Sequence, residues 1–179
     1  MTAKPISLEA IKALREKTSA PLNDVRAALE WAAGDEVKAL EFLRQRGAQI
    51  AETRHRRATG QGRVESYVHH DGRLGALVEV NCETDFVART PEFVQFCRDV
   101  AMHVAAMSPR YLRAEDVPPG EGPDAQARAG LCLLEQPFVK DQGTTIQELL
   151  RGLIAKTGEN VVIRRFTRFA VGEASATPS

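Results

Sequence analysis

Hydrophobic residues recur at helical spacing through the first 47 residues and predict three short amphipathic helices. Ser7 is a suitable N-cap for the first helix, which ends near Lys17-Thr18, and Pro21 can occupy the first position of the second. Gly34-Asp35 ends the second helix and caps the third, and Gly47 is expected to stop the third. The predicted inward positions are Leu8, Ile11 and Leu14, then Leu22, Val25 and Leu29, then Val37, Leu40 and Leu43.

After a polar stretch the pattern changes to the alternation of a β-hairpin. The first strand is predicted over Arg63–His69, and His70-Asp71-Gly72 supplies a turn whose glycine accepts a positive φ. The second strand is predicted over Arg73–Cys82, and its alternate positions turn one apolar face toward a core. That face consists of Leu74, Ala76, Val78 and Val80.

A longer amphipathic helix follows, with Thr90 as N-cap and Pro91 at its first position. His103 lies beside the apolar face of this helix, where a hydrogen-bonded core histidine is favoured over a metal ligand. The face itself, which we expect to pack on the sheet, comprises Phe93, Phe96, Cys97, Val100, Ala101 and Val104.

The segment after this helix predicts irregular structure and one short helix. Arg113–Gln126 is rich in proline and glycine and reads as a loop, and a short helix is expected after Asp124. Pro137 bends the chain, and we expect Phe138 to fill the core beside it.

One helix and one strand complete the pattern. Thr144–Gln147 predicts a capping box for a helix that stops at Gly158. The last strand is predicted over Asn160–Val171, and its apolar phase slips between Ile163 and Phe166, which indicates either a β-bulge or a strand whose two halves lie in different surroundings. The inward positions of the helix are Ile146, Leu149, Leu150, Leu153 and Ile154.

Together these elements predict an α+β protein. A three-helix module precedes a three-stranded antiparallel sheet, which the hairpin and the last strand form and helices cover. We predict a helical domain over residues 1–48, a basic linker over 49–62, an α+β core over 63–172 and a disordered tail over 173–179.

The composition favours a soluble cytoplasmic protein. Of the 179 residues, 43% are hydrophobic and 27% charged, and no run approaches the roughly 20 apolar residues that a membrane helix needs. Met1–Pro5 lacks the apolar core of a signal peptide. Cys82, Cys97 and Cys132 are widely spaced without a C-x-x-C pair, which indicates reduced thiols.

The charge pattern changes this picture only locally. The 24 basic residues equal the 24 acidic ones, so the chain lacks the overall charge of a nucleic-acid binder, and no specific nucleic acid is expected. A solvated linker is the favoured interpretation of the one basic stretch, with an RNA or acidic contact as the alternative. That stretch contains Arg44, Arg46, Arg54, His55, Arg56, Arg57 and Arg63.

The most distinctive stretch of the chain is Glu79–Arg89, which reads E-V-N-C-E-T-D-F-V-A-R. An apolar strand runs into polar residues, and Phe86 then follows on the short connection before the helix that begins at Thr90-Pro91. A phenylalanine at such a position either closes the core of its own chain or is displayed to another protein. From the residues alone, closure of its own core is the favoured interpretation, because single apolar residues in loops usually cap a core.

Glu79–Arg89 resembles the signature of the elongation factor Ts family, the nucleotide exchange factors of the GTPase elongation factor Tu. The resemblance implies that Thr84–Val87 inserts into the GTPase and dislocates its Mg²⁺ ion, which promotes GDP release. Phe86 would act as a wedge and Asp85 would bond to backbone amides of the partner, while Thr84 and Val87 hold the connection in shape. Arg89 would anchor the connection to the following helix. Neither a cofactor nor a catalytic group is expected in this chain.

Two further regions are similar to this family. Leu133–Asp141 resembles its second signature region, and the N-terminal module resembles its ubiquitin-associated-like (UBA-like) domain. The second resemblance rests on Leu14, Arg15, Thr18, Asp24, Ala28, Leu29, Gly34 and Asp35.

The N-terminal module departs from the family pattern after its first helix. Pro21 stands where glycine is usual, Leu22-Asn23 replaces a methionine pair, and Arg26-Ala27 replaces two lysines. Because this end of the domain contacts the GTPase in the family, Leu22, Asn23 and Arg26 are the predicted partner contacts here. For Leu22, simple core packing is an equally good interpretation.

The resemblance also implies an assembly. Long members of the family carry the core unit twice, whereas this chain has room for one copy, and similar short members pair into homodimers. We therefore expect a homodimer.

Two other functions are weighed against exchange. A metal or hydrolytic centre would draw on His69, His70, Asp71, Cys82, Glu83 and Asp85. Catalysis is disfavoured because His70-Asp71-Gly72 is turn chemistry and strand alternation puts Cys82 and Glu83 on opposite faces. A diverged binding module with another protein or RNA client is the remaining alternative.

Overall fold

In a computed structural model, residues 6–18 and 20–173 are described, and they form the predicted α+β fold. None of the helices in these ranges is long and apolar enough to cross a membrane. Residues 174–179 of the predicted tail lie outside the described ranges. The elements are α1 (Leu8–Thr18), α2 (Leu22–Trp31), α3 (Glu36–Arg54), β1 (Gln61–Val68), β2 (Leu74–Cys82), α4 (Asp85–Ala88), α5 (Pro91–Met107), α6 (Ala125–Leu131), β3 (Pro137–Phe138), β4 (Asp141–Thr145), α7 (Ile146–Thr157) and β5 (Val161–Ala170), with 3₁₀ turns at Ala114–Asp116 and Leu133–Glu135.

The first three helices form the predicted bundle, with the predicted caps. The Ser7 hydroxyl accepts a hydrogen bond from Ala10 N at 3.1 Å, and the Asp35 carboxylate accepts one from Lys38 N at 3.1 Å. Pro21 is the N-cap of α2, one position earlier than predicted. The buried residues of this bundle are Leu14, Val25, Ala28, Leu29, Ala32 and Ala39.

Three of the predicted inward positions in the bundle are wrong. Leu8, Leu22 and Val37 are exposed, and each lies in the first turn of its helix. A residue at the end of a helix in so small a bundle projects past its neighbours, so helical spacing alone does not bury it.

The prediction that α3 stops at Gly47 is also wrong, because the helix continues to Arg54. Gly47 is buried, and a Cβ added there would lie 3.8 Å from Ala155 Cβ on α7, so the glycine marks a close helix–helix approach. Ile50 and Ala51 then pack against the core of the sheet domain. The division into domains stays a prediction, and its first boundary falls inside this helix.

The sheet has the predicted composition, with antiparallel strands in the order β1-β2-β5. The predicted bulge in β5 is confirmed: Glu79 pairs with Arg165 and Val80 with Ile163, which leaves Arg164 as the extra residue. The inner face of the sheet packs against α5, and α7 packs against α5 in turn. The buried sheet residues are Ala76, Val78, Val80, Cys82, Val161 and Ile163.

His103 is a core histidine, as predicted. Its side chain is fully buried, its Nδ1 accepts a hydrogen bond from Val139 N at 3.2 Å, and its Nε2 lies 2.9 Å from Gln136 Oε1. Burial lowers the pKa of this imidazole below its usual value. Phe138 is buried beside it and fills the core as expected.

The capping box of α7 lies one residue later than predicted. Thr145 Oγ1 accepts from Glu148 N at 3.2 Å, and Glu148 Oε2 accepts from Thr145 N at 2.8 Å. Thr144 is instead part of β4, where its hydroxyl donates to Asp141 Oδ2 at 2.7 Å. The short β3–β4 pair was not predicted, because a strand of two residues is too short to alternate and the five residues of β4 are polar throughout.

One face of the three-stranded sheet is apolar and uncovered in the single chain. Val68, Gly75 and Phe169 lie side by side across the three strands. Because Gly75 has no side chain, an open groove of about 480 Å³ remains beside the side chains of Val68 and Phe169. We call this surface the outer sheet face. Its exposed hydrophobic residues are Val64, Val68, Leu77, Phe169 and Val171.

Candidate functional site

The connection predicted between β2 and α5 is a single helical turn, α4. Thr84 is its N-cap, with Oγ1 accepting a long hydrogen bond of 3.4 Å from Val87 N. At the other end, Thr90 Oγ1 donates to Val87 O at 2.9 Å and accepts from Phe93 N at 3.3 Å, so it caps α5 as predicted. The turn is therefore held at both ends.

Phe86 is the most exposed large hydrophobic residue among those described, with 81% of its surface accessible. Val87 packs against the core and Ala88 is buried. Because successive residues of a helix are rotated by about 100°, the turn that directs Val87 and Ala88 inward directs Phe86 outward. Of the two interpretations of Phe86, the structure contradicts closure of its own core.

Asp85 and Arg89 form an ion pair across this turn, with Arg89 Nη2 and Asp85 Oδ2 3.1 Å apart. The prediction that Arg89 anchors the connection to the next helix is wrong, because its side chain is largely exposed and reaches back to Asp85. A pair this exposed contributes at most about 1 kcal/mol. The Asp85 carboxylate can therefore exchange Arg89 for donors on a partner at little cost.

Two residues far along the chain hold the start of the turn. Glu159 accepts hydrogen bonds from Thr84 N at 3.0 Å and from Thr84 Oγ1 at 2.6 Å. The next residue, Asn160, donates from its backbone N to Glu83 Oε1 at 2.6 Å. The sequence did not predict the role of Glu159 and Asn160, since a contact between residues 75 positions apart leaves no periodic signal. The one clue in the sequence is that two polar residues, Glu159 and Asn160, stand between Gly158, which ends α7, and the last strand.

The predicted N-terminal contacts lie on α2, away from the sheet domain in sequence. Leu22 is 55% exposed, so core packing was the wrong interpretation of this residue. Asn23 is also exposed, and Arg26 Nε donates to Glu30 Oε1 at 2.8 Å on the helix surface. All three predicted contact residues are thus accessible.

The basic stretch, for which a solvated linker was the favoured interpretation, contains the end of α3. It is helical to Arg54, and several of its guanidinium groups are paired with carboxylates. The pairs are Arg46–Asp24 at 2.8 Å, Arg57–Glu83 at 3.4 Å and Arg63–Glu65 at 2.7 Å. Pairing reduces the positive charge that this stretch offers to a polyanion.

Five of the six residues considered for hydrolytic or metal chemistry form hydrogen bonds or ion pairs with other groups of the protein: His69, Asp71, Cys82, Glu83 and Asp85. Burial raises the pKa of the Cys82 thiol to about 11, and this thiol donates to Thr84 O at 3.1 Å. His69 Nδ1 lies 2.9 Å from the Tyr67 hydroxyl. Within residues 6–18 and 20–173, no three histidine, cysteine or carboxylate side chains are grouped to hold a metal ion.

The family model "Elongation factor TS" matches residues 8–124, about two thirds of the chain, including the whole of the exposed turn. The chain belongs to the elongation factor Ts family. It is 47% identical over 189 residues to the elongation factor Ts of Rubrobacter xylanophilus, covering 90% of this chain and 97% of the relative.

Other elongation factor Ts proteins are similarly close. That of Carboxydothermus hydrogenoformans is 44% identical over 198 residues, covering 96% of this chain and 91% of the relative. That of Thermotoga neapolitana is 43% identical over 193 residues, covering 94% and 98%. Since each relative covers at least 90% of the chain, the likeness to elongation factor Ts extends beyond residue 124.

Proposed function

We propose that this chain is a guanine nucleotide exchange factor that promotes GDP release from elongation factor Tu during translation elongation. The observation that carries the proposal is Phe86, displayed on a turn fixed at both ends, in a chain of the elongation factor Ts family. A large apolar side chain on a rigid element binds a partner without the entropy loss of ordering a loop.

Exchange of this kind needs no bond-making group. A GTPase holds its nucleotide through backbone amides and a Mg²⁺ ion that bridges protein and phosphate oxygens. A factor that binds the nucleotide-free GTPase more tightly than the loaded form weakens nucleotide binding by the same ratio. A difference of about 4 kcal/mol in binding free energy gives an effect on the order of a thousandfold.

We assign the Thr84–Val87 segment to this differential binding. Burial of the Phe86 ring between elements of the partner contributes roughly 2 kcal/mol and displaces side chains that hold the Mg²⁺ shell. Asp85 bonds to backbone amides vacated by the phosphates, and its charge opposes their return. Thr84 caps the turn and Val87 seats it on the core, so both fix the direction of Phe86.

A second contact with the GTPase is assigned to the exposed side of α2, at Leu22, Asn23 and Arg26. Leu22 offers an apolar surface and Arg26 a charged one, since the exposed ion pair of Arg26 with Glu30 is easily exchanged. The departures from the family pattern at Pro21–Asn23 change the affinity of α2 for the GTPase.

The outer sheet face is assigned to a second copy of the chain, which gives a homodimer. Five exposed hydrophobic residues on one face of the sheet are unusual for a monomer, and a two-fold axis would cover this face with the same face of the second copy. The groove beside Gly75 can receive a large side chain from the other copy. The ion pair Arg165–Glu79, 2.6 Å apart, borders the apolar area.

The test is release of a fluorescent GDP from elongation factor Tu of the same source, in excess Mg²⁺. We expect strong acceleration by the wild type and loss of most of it in Phe86→Ala. Met107→Ala, which truncates an exposed hydrophobic residue at the end of α5, is the matched control and should accelerate like the wild type.

The possible outcomes test the exchange function and the role of Phe86 separately. Acceleration that survives Phe86→Ala would retain exchange and remove Phe86 from its centre. No acceleration by the wild type would contradict exchange and favour a binding module with another protein or RNA client.

A further inference from the structure

Three separate segments of the chain meet at the base of the exposed turn. Glu159 bonds to Thr84 through both carboxylate oxygens, while Asn160 N donates to Glu83 Oε1. The Asn160 side chain, itself 3% exposed, donates from Nδ2 to Arg57 O at 2.7 Å and to His55 O at 3.3 Å. Two adjacent residues after α7 thus join the start of α4 to the segment that follows α3.

The Glu159 carboxylate fixes the orientation of the Thr84 hydroxyl. Since the hydroxyl proton is donated to Glu159 Oε1, the oxygen lone pairs remain directed to accept from Val87 N. A helix of four residues is not stable on its own, because forming its first turn fixes many dihedral angles for one hydrogen bond. The conformation of the turn therefore depends on these external bonds.

We propose that Glu159 is a positioning residue for nucleotide exchange, which holds the Thr84–Ala88 turn so that Phe86 projects toward the GTPase. Asn160 extends the same network to the end of α3 and fixes the turn relative to the helical module. The inference rests on the proposed function, and it adds that the factor binds its partner with a preformed turn.

This role predicts a specific kinetic effect of Glu159→Ala. If the projecting conformation falls to about one tenth of the population, the concentration of factor that gives half-maximal exchange rises about tenfold. The maximal rate at saturating factor stays unchanged, because the partner selects the same conformation once it is bound.

The chain offers a matched control in Glu148. Its carboxylate accepts hydrogen bonds from Thr145 N at 2.8 Å and Thr145 Oγ1 at 3.2 Å, the same pair of donors on a threonine N-cap, but at α7. Glu148→Ala removes equivalent bonds and lowers stability in a similar way. Its half-maximal concentration should remain within twofold of the wild type, provided that the variants are compared below their unfolding transitions.

A double-mutant cycle tests whether Glu159 acts through Phe86. In a Phe86→Ala background, Glu159→Ala should cause a clearly smaller loss of exchange than in the wild type, because the larger of the two partner-binding side chains on the turn is gone and only Asp85 remains to be positioned. Full additivity of the two changes, or an equal effect of Glu148→Ala and Glu159→Ala, would overturn the inference while leaving exchange itself intact.

Amide hydrogen exchange of the free protein supplies a readout that needs no GTPase. We expect faster exchange at Val87 and Ala88 in Glu159→Ala and unchanged exchange there in Glu148→Ala. Unchanged protection in Glu159→Ala would overturn the inference. Failure of the wild type to release GDP would instead overturn the proposed function, whatever the amide exchange shows.

Discussion

Replacing Phe169 by aspartate should dissociate the proposed homodimer. Phe169 lies on the edge strand β5 and lines the groove of the outer sheet face, beside Gly75 on the central strand and in line with Val68 on β1. Its ring is 66% exposed in the single chain, so the substitution leaves the core of the monomer intact. The effect should therefore fall on association and not on folding.

The magnitude follows from the exposed fraction of the ring. Complete burial of a phenylalanine contributes about 1.5–3 kcal/mol, so covering the exposed two thirds of Phe169 contributes about 1–2 kcal/mol. A two-fold dimer loses this contribution twice, and it gains two carboxylates in an apolar interface at about 1–3 kcal/mol each. The sum, about 4–10 kcal/mol, raises the dimer Kd at least several hundredfold.

Sedimentation analysis over a wide range of concentration measures this shift. Wild-type protein should sediment as a dimer, Phe169→Asp as a monomer, and both should give the same far-ultraviolet circular dichroism. Val37→Asp, which adds the same charge at an exposed valine of α3, should remain dimeric. The reasoning is refuted if Phe169→Asp sediments as a dimer at the concentrations where the wild type does, or if the wild type is a monomer throughout.

Two further predictions concern stability. A Cβ at Gly62 would clash with the carbonyl oxygen of Val80, so Gly62→Ala should lower the free energy of unfolding, measured by urea denaturation, by about 2 kcal/mol or more. Gly60→Ala is the control: the space around its Cβ is open, and the free energy of unfolding should change by less than about 0.5 kcal/mol. Burial lowers the pKa of His103 in the folded chain. As the pH falls, the unfolded chain therefore takes up a proton at about pH 6.5, whereas the folded chain does so only at lower pH. Tm should be highest above about pH 7 and should fall as the pH drops below this value. His103→Gln should flatten this decline, and an equally steep decline in that variant would assign the pH dependence to other groups.

The sequence predicted the elements whose cause is local. Thr90-Pro91 opens α5 and Gly158 ends α7, because a cap and a left-handed glycine act within one turn of the chain. The slip of apolar phase across Arg164 also placed the bulge correctly, since a two-residue period records it directly.

The unexpected course of α3 through Gly47 and the missed role of Glu159 have a different cause, because each depends on a contact with another segment of the chain. Gly47 reads as a helix stop, yet close packing against Ala155 offsets its conformational entropy and α3 continues. The exposed turn itself was found from its residues, whereas Glu159, which holds it, was not. A hydrogen bond between residues 75 positions apart is fixed by tertiary structure alone.

The unbroken course of α3 determines how many independent parts the partner meets. At 19 residues this helix is about 28 Å long, and it passes from the N-terminal bundle into contact with α7. Had residues 49–62 been a flexible chain, α2 and the Phe86 turn would be two tethered sites, whose joint binding depends on the effective concentration that a linker allows. A continuous helix packed on α7 holds these two sites in a fixed relative geometry. Insertion of a single residue within Arg44–Arg46, between the α3 side chains that pack in the bundle and those that pack on the sheet domain, would rotate one contact by about 100° relative to the other. Spacing in this helix therefore matters to recognition as well as the contact residues.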